Sequence, residues 1–172
     1  MDLKVDTFKS KLVGGGARPN RFKITLNYAG DGDGDPELTS FMCKAAQLPA
    51  STIANVTVPY QGRQIQVPGD RTFEPWTVTV INDTDFHVRN AMERWMNGIN
   101  AHDANDGHTQ PVQFKADLKI EQYSNQQGEV LKTYDFVGCW PSSVSAIDMA
   151  WDSNDEIEEF EVEFQVDYWK AV

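Results

Sequence analysis

A chain of 172 residues, 40% hydrophobic and 11% aromatic, suits one folded domain with a buried core. Its formal charge of −11 argues against direct binding to DNA or anionic lipid, because phosphate contacts need Lys and Arg, although a repelling surface beside DNA remains compatible with it. No apolar run approaches the roughly 18 residues of a membrane-spanning helix, the start lacks the apolar stretch of a secretion signal, and Cys43 and Cys139 are too few and too far apart for a disulfide framework or a zinc site.

The expectation is an acidic, soluble, cytosolic domain with no membrane partner, its two cysteines buried as thiols. Residues 1–20 read as a flexible extended arm, since "VGGGARPN" places Gly14, Gly15 and Gly16 ahead of Arg18 and Pro19 and resists helix. "RFKITLNY" then alternates, with Phe22, Ile24, Leu26 and Tyr28 on one face, the period of a half-buried strand. "AGDGDGDPEL" follows, and "LTSFMCKAAQL" resumes a largely apolar stretch.

Residues 49–70 read as a projecting hairpin. "ANVTV" and "RQIQV" are its strands, Pro59 and Gly62 mark its turn, and the prolines at 49, 59 and 68 make it unfit for a sheet centre. "TFEPWTVTVIN" is a strand with Trp76, Val78 and Val80 on one side. In "NDTDFHVRNAMERWMNGIN", Val88, Ala91, Met92, Trp95, Met96 and Ile99 keep helical spacing. Asp83, Thr84 or Asp85 is expected to cap that helix and Gly98 to end it, with Arg89, Asn90, Glu93, Arg94 and Asn97 on its far face.

"VQFKADLKIEQY" is read as another alternating strand, with Phe114, Leu118 and Ile120 inward, and "VLKTYDFVGCWPSSV" as a further strand ending near Pro141. The last segment, "IEEFEVEFQVDYW", has the sharpest pattern: Phe160, Val162, Phe164, Val166 and Tyr168 on one face, Glu159, Glu161, Glu163, Gln165 and Asp167 on the other. Seven or eight strands and one helix, joined by turns, predict a mainly β fold: an antiparallel β-sandwich or barrel with one amphipathic helix on its side. No second domain or internal repeat is visible.

Templates for chemistry fail. A calcium loop starting at Asp31 would need glycine sixth and a carboxylate twelfth, but those positions are Pro36 and Met42. Asp31, Asp33 and Asp35 are therefore read as turn residues. His102, Asp103, Asp106 and His108 match no metal spacing, and His87 falls on the first helical turn, partly exposed. No nucleophile elbow, phosphate loop or Cys–His pairing is present. The expectation is no catalytic residue, no metal and no cofactor. By pattern alone the carboxylate-lined strand face, with Asp117 and Glu121 as possible additions, reads first as an ordinary solvated sheet exterior and second as a surface that repels polyanions. A metal-dependent ligand-binding β-sandwich, resting on the Asp-rich loops, and a hydrolase without a motif are the rival readings.

"FMCKAAQLPASTI" and the run "VPYQGRQIQVPGDRTFEPWTVTVINDTDFHVRNAMERWMNGIN" resemble the tail tube proteins of contractile-tailed bacteriophages, most specifically over residues 69–100. The resemblance extends from "ARPNRF" to the final acidic strand. It implies a virion subunit that forms hexameric rings, stacked into a tube inside a contractile sheath, with baseplate and tail terminator proteins at the ends. DNA would pass through the lumen without specific binding, and assembly would occur in the host cytoplasm. Tube subunits of type VI secretion systems and of headless tail-like particles share the implied fold and are the alternative use. The resemblance assigns Glu159, Glu161, Glu163 and Asp167 to the channel wall, and Gly14, Gly15, Gly16, Arg18, Tyr60, Gly62 and Arg63 to ring stacking.

Overall fold

A computed structural model describes residues 5–12, 16–104, 106–125 and 128–172. In chain order the elements are α1 (Val5–Lys11), β1 (Phe22–Leu26), α2 (Pro36–Met42), β2 (Cys43–Ala46), β3 (Ser51–Tyr60) and β4 (Arg63–Phe73). They continue with β5 (Trp76–Ile81), α3 (His87–Ile99), α4 (Pro111–Phe114), β6 (Ala116–Tyr123), β7 (Val130–Val144), β8 (Glu159–Gln165) and β9 (Tyr168–Ala171). Seven strands form one antiparallel path, β1-β6-β7-β8-β5-β2, with β9 also on β7; β3 and β4 form a separate two-stranded ribbon.

The 15-residue β7 organises the path because its two halves serve different neighbours. Phe136 and the residues before it pair with β6, and residues 134–137 also pair with β9, whereas Trp140 to Val144 pair with β8. Gly138 sits at the change, with φ +67°. A side chain there would be strained in backbone and would place its Cβ 2.2 Å from Asp167 Oδ2. A bent strand of this kind carries the chain from one sheet layer to the next.

The two layers face each other over one core. Ile24, Leu26, Leu118, Ile120 and Phe136 come from one side, and Trp76, Val78, Val80, Phe160, Val162 and Phe164 from the other, all buried. Trp76 stacks on Phe136 with ring centroids 4.3 Å apart and donates its indole N–H to the Gln47 carbonyl at 2.8 Å. Helix α3 completes the core with Val88, Met92 and Trp95, the Trp95 indole donating to the Phe114 carbonyl at 2.8 Å.

The antiparallel sandwich with α3 on its side agrees with the sequence reading, and several local expectations are corrected. Residues 5–11 form a helix within the arm read as extended; the glycines that resist helix lie beyond it, and Gly14 and Gly15 fall outside the described residues. The "PELTSFM" stretch is a helix, started by Pro36 and capped by Asp35, whose carboxylate accepts from the Glu37 N–H at 2.9 Å. That cap shows what the Asp-Gly run does: Gly30 takes φ +59° and the run turns the chain from β1 into α2. Thr39, buried in α2, is satisfied by Tyr28 Oη at 2.6 Å and the Asp35 carbonyl at 2.8 Å.

Helix α3 has no side-chain cap at its start. Phe86 precedes it in the left-handed region (φ +55°), while Asp83 bonds the His87 ring instead, at 2.8 Å. Gly98 lies inside the helix, which ends at Ile99 with Asn100 as its cap. Arg89 does not point wholly outward: its guanidinium lies 5.4 Å from the Phe160 ring centre and donates to the Ser145 carbonyl at 3.1 Å. Phe114 closes a short helical turn, so the strand expected from residue 112 begins at Ala116.

The final strand is broken. β8 ends at Gln165 and β9 starts at Tyr168, with Val166 and Asp167 opposite the bend at Gly138; the Asp167 N–H still donates to the Val137 carbonyl at 3.2 Å. The alternation read through Tyr168 therefore fails after Phe164: Val166 is only half-buried and Tyr168 is exposed.

Candidate functional site

Three surfaces stand out. The first is the β3–β4 ribbon, which spans residues 51–73, slightly longer than the 49–70 read from sequence. Its turn is Gln61–Gly62, both with positive φ (46° and 79°), the mirror-image two-residue turn whose twist matches paired strands. The register sets Val56 opposite Val67, Val58 opposite Ile65, and Tyr60 opposite Arg63, all on one face. The other face is polar, with Gln66 Oε1 accepting from Asn55 Nδ2 at 2.6 Å and from Thr57 Oγ1 at 2.9 Å.

The ribbon is thus amphipathic, yet its apolar side is uncovered: Val56, Val58, Tyr60, Ile65 and Val67 are 42 to 61% exposed. A two-stranded ribbon is barely stable alone in water, and a continuous exposed apolar face marks a contact surface. The alternation of Val56, Val58 and Tyr60 against Arg63, Ile65 and Val67 was present in the sequence, but only the register shows that both sets share a face. Predicted stacking residues Tyr60, Gly62 and Arg63 lie together at its tip.

Of the other predicted stacking residues, Gly14 and Gly15 fall outside the described residues. Gly16 has φ +82°, and Arg18 uses its carbonyl to accept from Gln122 Nε2 at 3.4 Å, which ties the arm to the end of β6.

The second surface is the solvent face of the β7-β8-β5-β2 layer. Glu159, Glu161 and Glu163 lie there side by side on β8, opposite Ile81, Thr79 and Thr77. Lys44 of β2 pairs with Glu159 and is the cation among these neighbours. Glu163 is held by Ser142 Oγ at 3.1 Å, and Glu161 is exposed. Asp167 does not belong to this face: it lies beyond the break and bonds Lys115 Nζ at 2.6 Å. The solvent face of the other layer differs in balance, with Lys23, Lys119 and Lys170 among Asp117, Glu121 and Asp135. Of the two, the β8 face is the acidic one.

The third surface comprises the unpaired outer edges of β1 and β2, the two ends of the strand path. They approach across a cleft of about 180 Å³ bordered by Phe22, Ala46, Leu48 and Ile120.

The loops with metal-ligating residues have structural contacts instead. Asp31 and His108 come together, Oδ2 to Nε2 at 3.3 Å, over Gly98 of α3. Among the described residues no three His, Cys, Asp or Glu side chains gather around a common point, and no helix is long and apolar enough to cross a membrane. Cys139 is buried and Cys43 half-buried; burial pushes both thiols up to about 12. At pH 8 the native protein should react with a thiol reagent on the order of a thousandfold more slowly than the unfolded chain, since only thiolate attacks. Rapid labelling of both cysteines in the native state would contradict this burial.

A family model described as phage tail tube protein matches residues 17–172. Tail tube protein gp19 of Enterobacteria phage T4 is 37% identical over 155 residues, covering 90% of this chain and 91% of that protein. The tail tube protein of Serratia phage KSP90 is 26% identical over 173 residues, 98% and 96% of the two chains. The fold also matches a chain in the baseplate structure of the anti-feeding prophage, with a TM-score of 0.69 at 10% identity over 91% of this chain and 95% of that one. A chain of the sheath–tube complex of an extracellular contractile injection system matches with a TM-score of 0.64 at 17% identity, over 95% and 96%. With three quarters or more of its length matched by the family model and a relative above one third identity, the chain belongs to the phage tail tube protein family.

Proposed function

We propose that six copies of this virion subunit close into a ring by joining strand edges, that rings stack through the β3–β4 ribbon, and that the stack forms the conduit of a contractile tail. The observation that carries this reading is the ribbon's uncovered apolar face, which a single subunit leaves in water. The free edges of β1 and β2 supply the second requirement, since unpaired backbone groups are satisfied when neighbours pair in a closed head-to-tail ring. A sheath would assemble on the outer wall, with baseplate and terminator proteins at the two ends, and assembly would take place in the host cytoplasm. The role is structural, as it is for the tail tube relatives. Delivery of a phage genome is favoured over a headless injection device because the sequence relatives are phage proteins, whereas the injection-system likenesses lie between 10 and 20% identity.

In this assembly the β7-β8-β5-β2 layer faces the lumen. Glu159, Glu161 and Glu163 would then repel DNA phosphates within roughly 10 Å, the screening length near physiological salt, so the genome slides without sticking. Asp167, paired with Lys115 beyond the strand break, takes no part in that wall.

Electron microscopy of the protein, fresh and after concentration, tests the assembly. Six-fold rings or hollow tubes are the expected result; monomers alone, even with a matching baseplate, would refute it. The triple variant E159Q/E161Q/E163Q tests the wall. It should fold within about 0.5 kcal/mol of the parent, because these are solvent-side substitutions. Its tubes should retain more DNA at low salt, with the difference vanishing at high salt. A tube map with Glu161 on the outer surface would sink the lumen assignment.

A further inference from the structure

Besides the ribbon, two other apolar surfaces lie uncovered, and they are complementary. Helix α1 and the residue that follows it place Val5, Phe8 and Leu12 at positions i, i+3 and i+7, one stripe along the axis, with the Leu12 N–H still donating to the Phe8 carbonyl at 3.0 Å. All three are exposed, Phe8 by 66%, and no residue of the helix is buried. Lys9 and Lys11 occupy its last turn against a single acid, Asp6, which makes it a cationic segment in a strongly acidic chain.

The second surface is the connection from β7 to β8. Met149 and Ile157 are exposed by 80 and 71%, and Trp151 is fully exposed. Asp148, Asp152, Asp155, Glu156 and Glu158 lie in this connection with no Lys or Arg among them. It borders an open cavity of about 390 Å³ lined by Ile147, Met149, Ile157 and Glu156. A fully exposed Trp in an otherwise ordered segment loses hydrophobic free energy unless another surface covers it.

We infer that α1 of one subunit docks on the 148–158 loop of a neighbouring copy. Its Val5–Phe8–Leu12 stripe covers Met149 and Trp151, while Lys9 and Lys11 face the loop carboxylates. A seven-residue helix is marginal in water and gains stability when its apolar stripe is covered. Among the described residues of its own subunit the stripe finds no cover. Six residue steps from Leu12 to Arg18, where the arm is tied to β6, give the helix a reach of up to roughly 20 Å, enough to touch a subunit packed alongside. This inference rests on the stacked-ring reading and names contacts that reading does not require.

The test mixes F8C subunits carrying a size tag with untagged W151C subunits, both with Cys43→Ser, assembles them and oxidises briefly. The expected result is a mixed disulfide dimer that appears only in assembled material and is absent when the second cysteine replaces Lys119 instead. Separately, K9E/K11E should raise the concentration needed for assembly at least fivefold, and D152K/E156K in the same chain should bring it back. Tubes that form without the mixed dimer overturn this docking and leave the tube intact. An 8–151 link inside a single unassembled subunit carrying both cysteines overturns the assignment to a neighbour. Protein that never assembles overturns both readings together.

Discussion

Replacing residues 52–72 with an Asn-Gly turn is expected to give a subunit that folds but no longer stacks into tubes. The excision is compatible with the rest of the fold because, among the described residues, the ribbon is its own two-stranded sheet and pairs with no other strand. Its two ends are already adjacent: Ser51 pairs with Phe73, and the Glu74 N–H donates to the Ala50 carbonyl at 3.5 Å. Phe73 is retained since it packs edge-on against Trp169, with centroids 6.0 Å apart. Core residues are untouched, so the melting temperature should move by only a few degrees.

Assembly should fail for an energetic reason. Full burial of one large apolar side chain contributes about 1.5–3 kcal/mol, and about half of that remains ungained for each half-exposed residue of the ribbon. Over Val56, Val58, Tyr60, Ile65 and Val67 the shortfall is roughly 5 kcal/mol per subunit, more than a thousandfold in an association constant. Sedimentation and electron microscopy at concentrations where the parent forms tubes provide the comparison. Normal tubes from the excised subunit would remove the ribbon from the stacking role.

The second large effect is expected at Trp76. Trp76→Ala should cost about 3–5 kcal/mol, a large share of the roughly 5–15 kcal/mol that holds a typical domain. Trp76 comes from one layer and stacks on Phe136 of the other, so its removal opens a void at the centre of the sandwich. It also strips the Gln47 carbonyl of its indole donor, in the segment that leads into the ribbon. At this chain length the melting temperature should fall by about 6–20 °C. Trp76→Phe keeps an aromatic ring and should cost clearly less. A calorimetric loss below about 1 kcal/mol for the alanine variant would mean that the two layers do not depend on this contact.

Much of the architecture was legible in local pattern. Alternation in "FKITL", "WTVTVI" and "EFEVEF" identified β1, β5 and β8 together with their buried faces, because one buried side imposes a period of two. Helical spacing of Val88, Ala91, Met92 and Trp95 did the same for α3. The short elements were less visible. Helix α2 depends on the Asp35 cap and Pro36 acting together, and α1 has only seven residues and no core to face. The break at Val166–Asp167 has no local signal: it follows from Gly138, 28 positions earlier, which bends the partner strand.

The residues proposed for assembly divide in the same way. Tyr60, Gly62 and Arg63 follow from the sequence because Pro59 and Gly62 mark a turn, and Glu159, Glu161 and Glu163 follow from alternation along one strand. What only the tertiary structure decided is which of these surfaces stay together and uncovered. Register placed five apolar ribbon residues on one side, strand order left the outer edges of β1 and β2 unpaired, and the bend at Gly138 removed Asp167 from the acidic face. The sequence by itself determined the strands, the main helix and the acidity, since each depends on neighbours a few residues apart. The surfaces depend on contacts between distant segments, and a local period does not encode them.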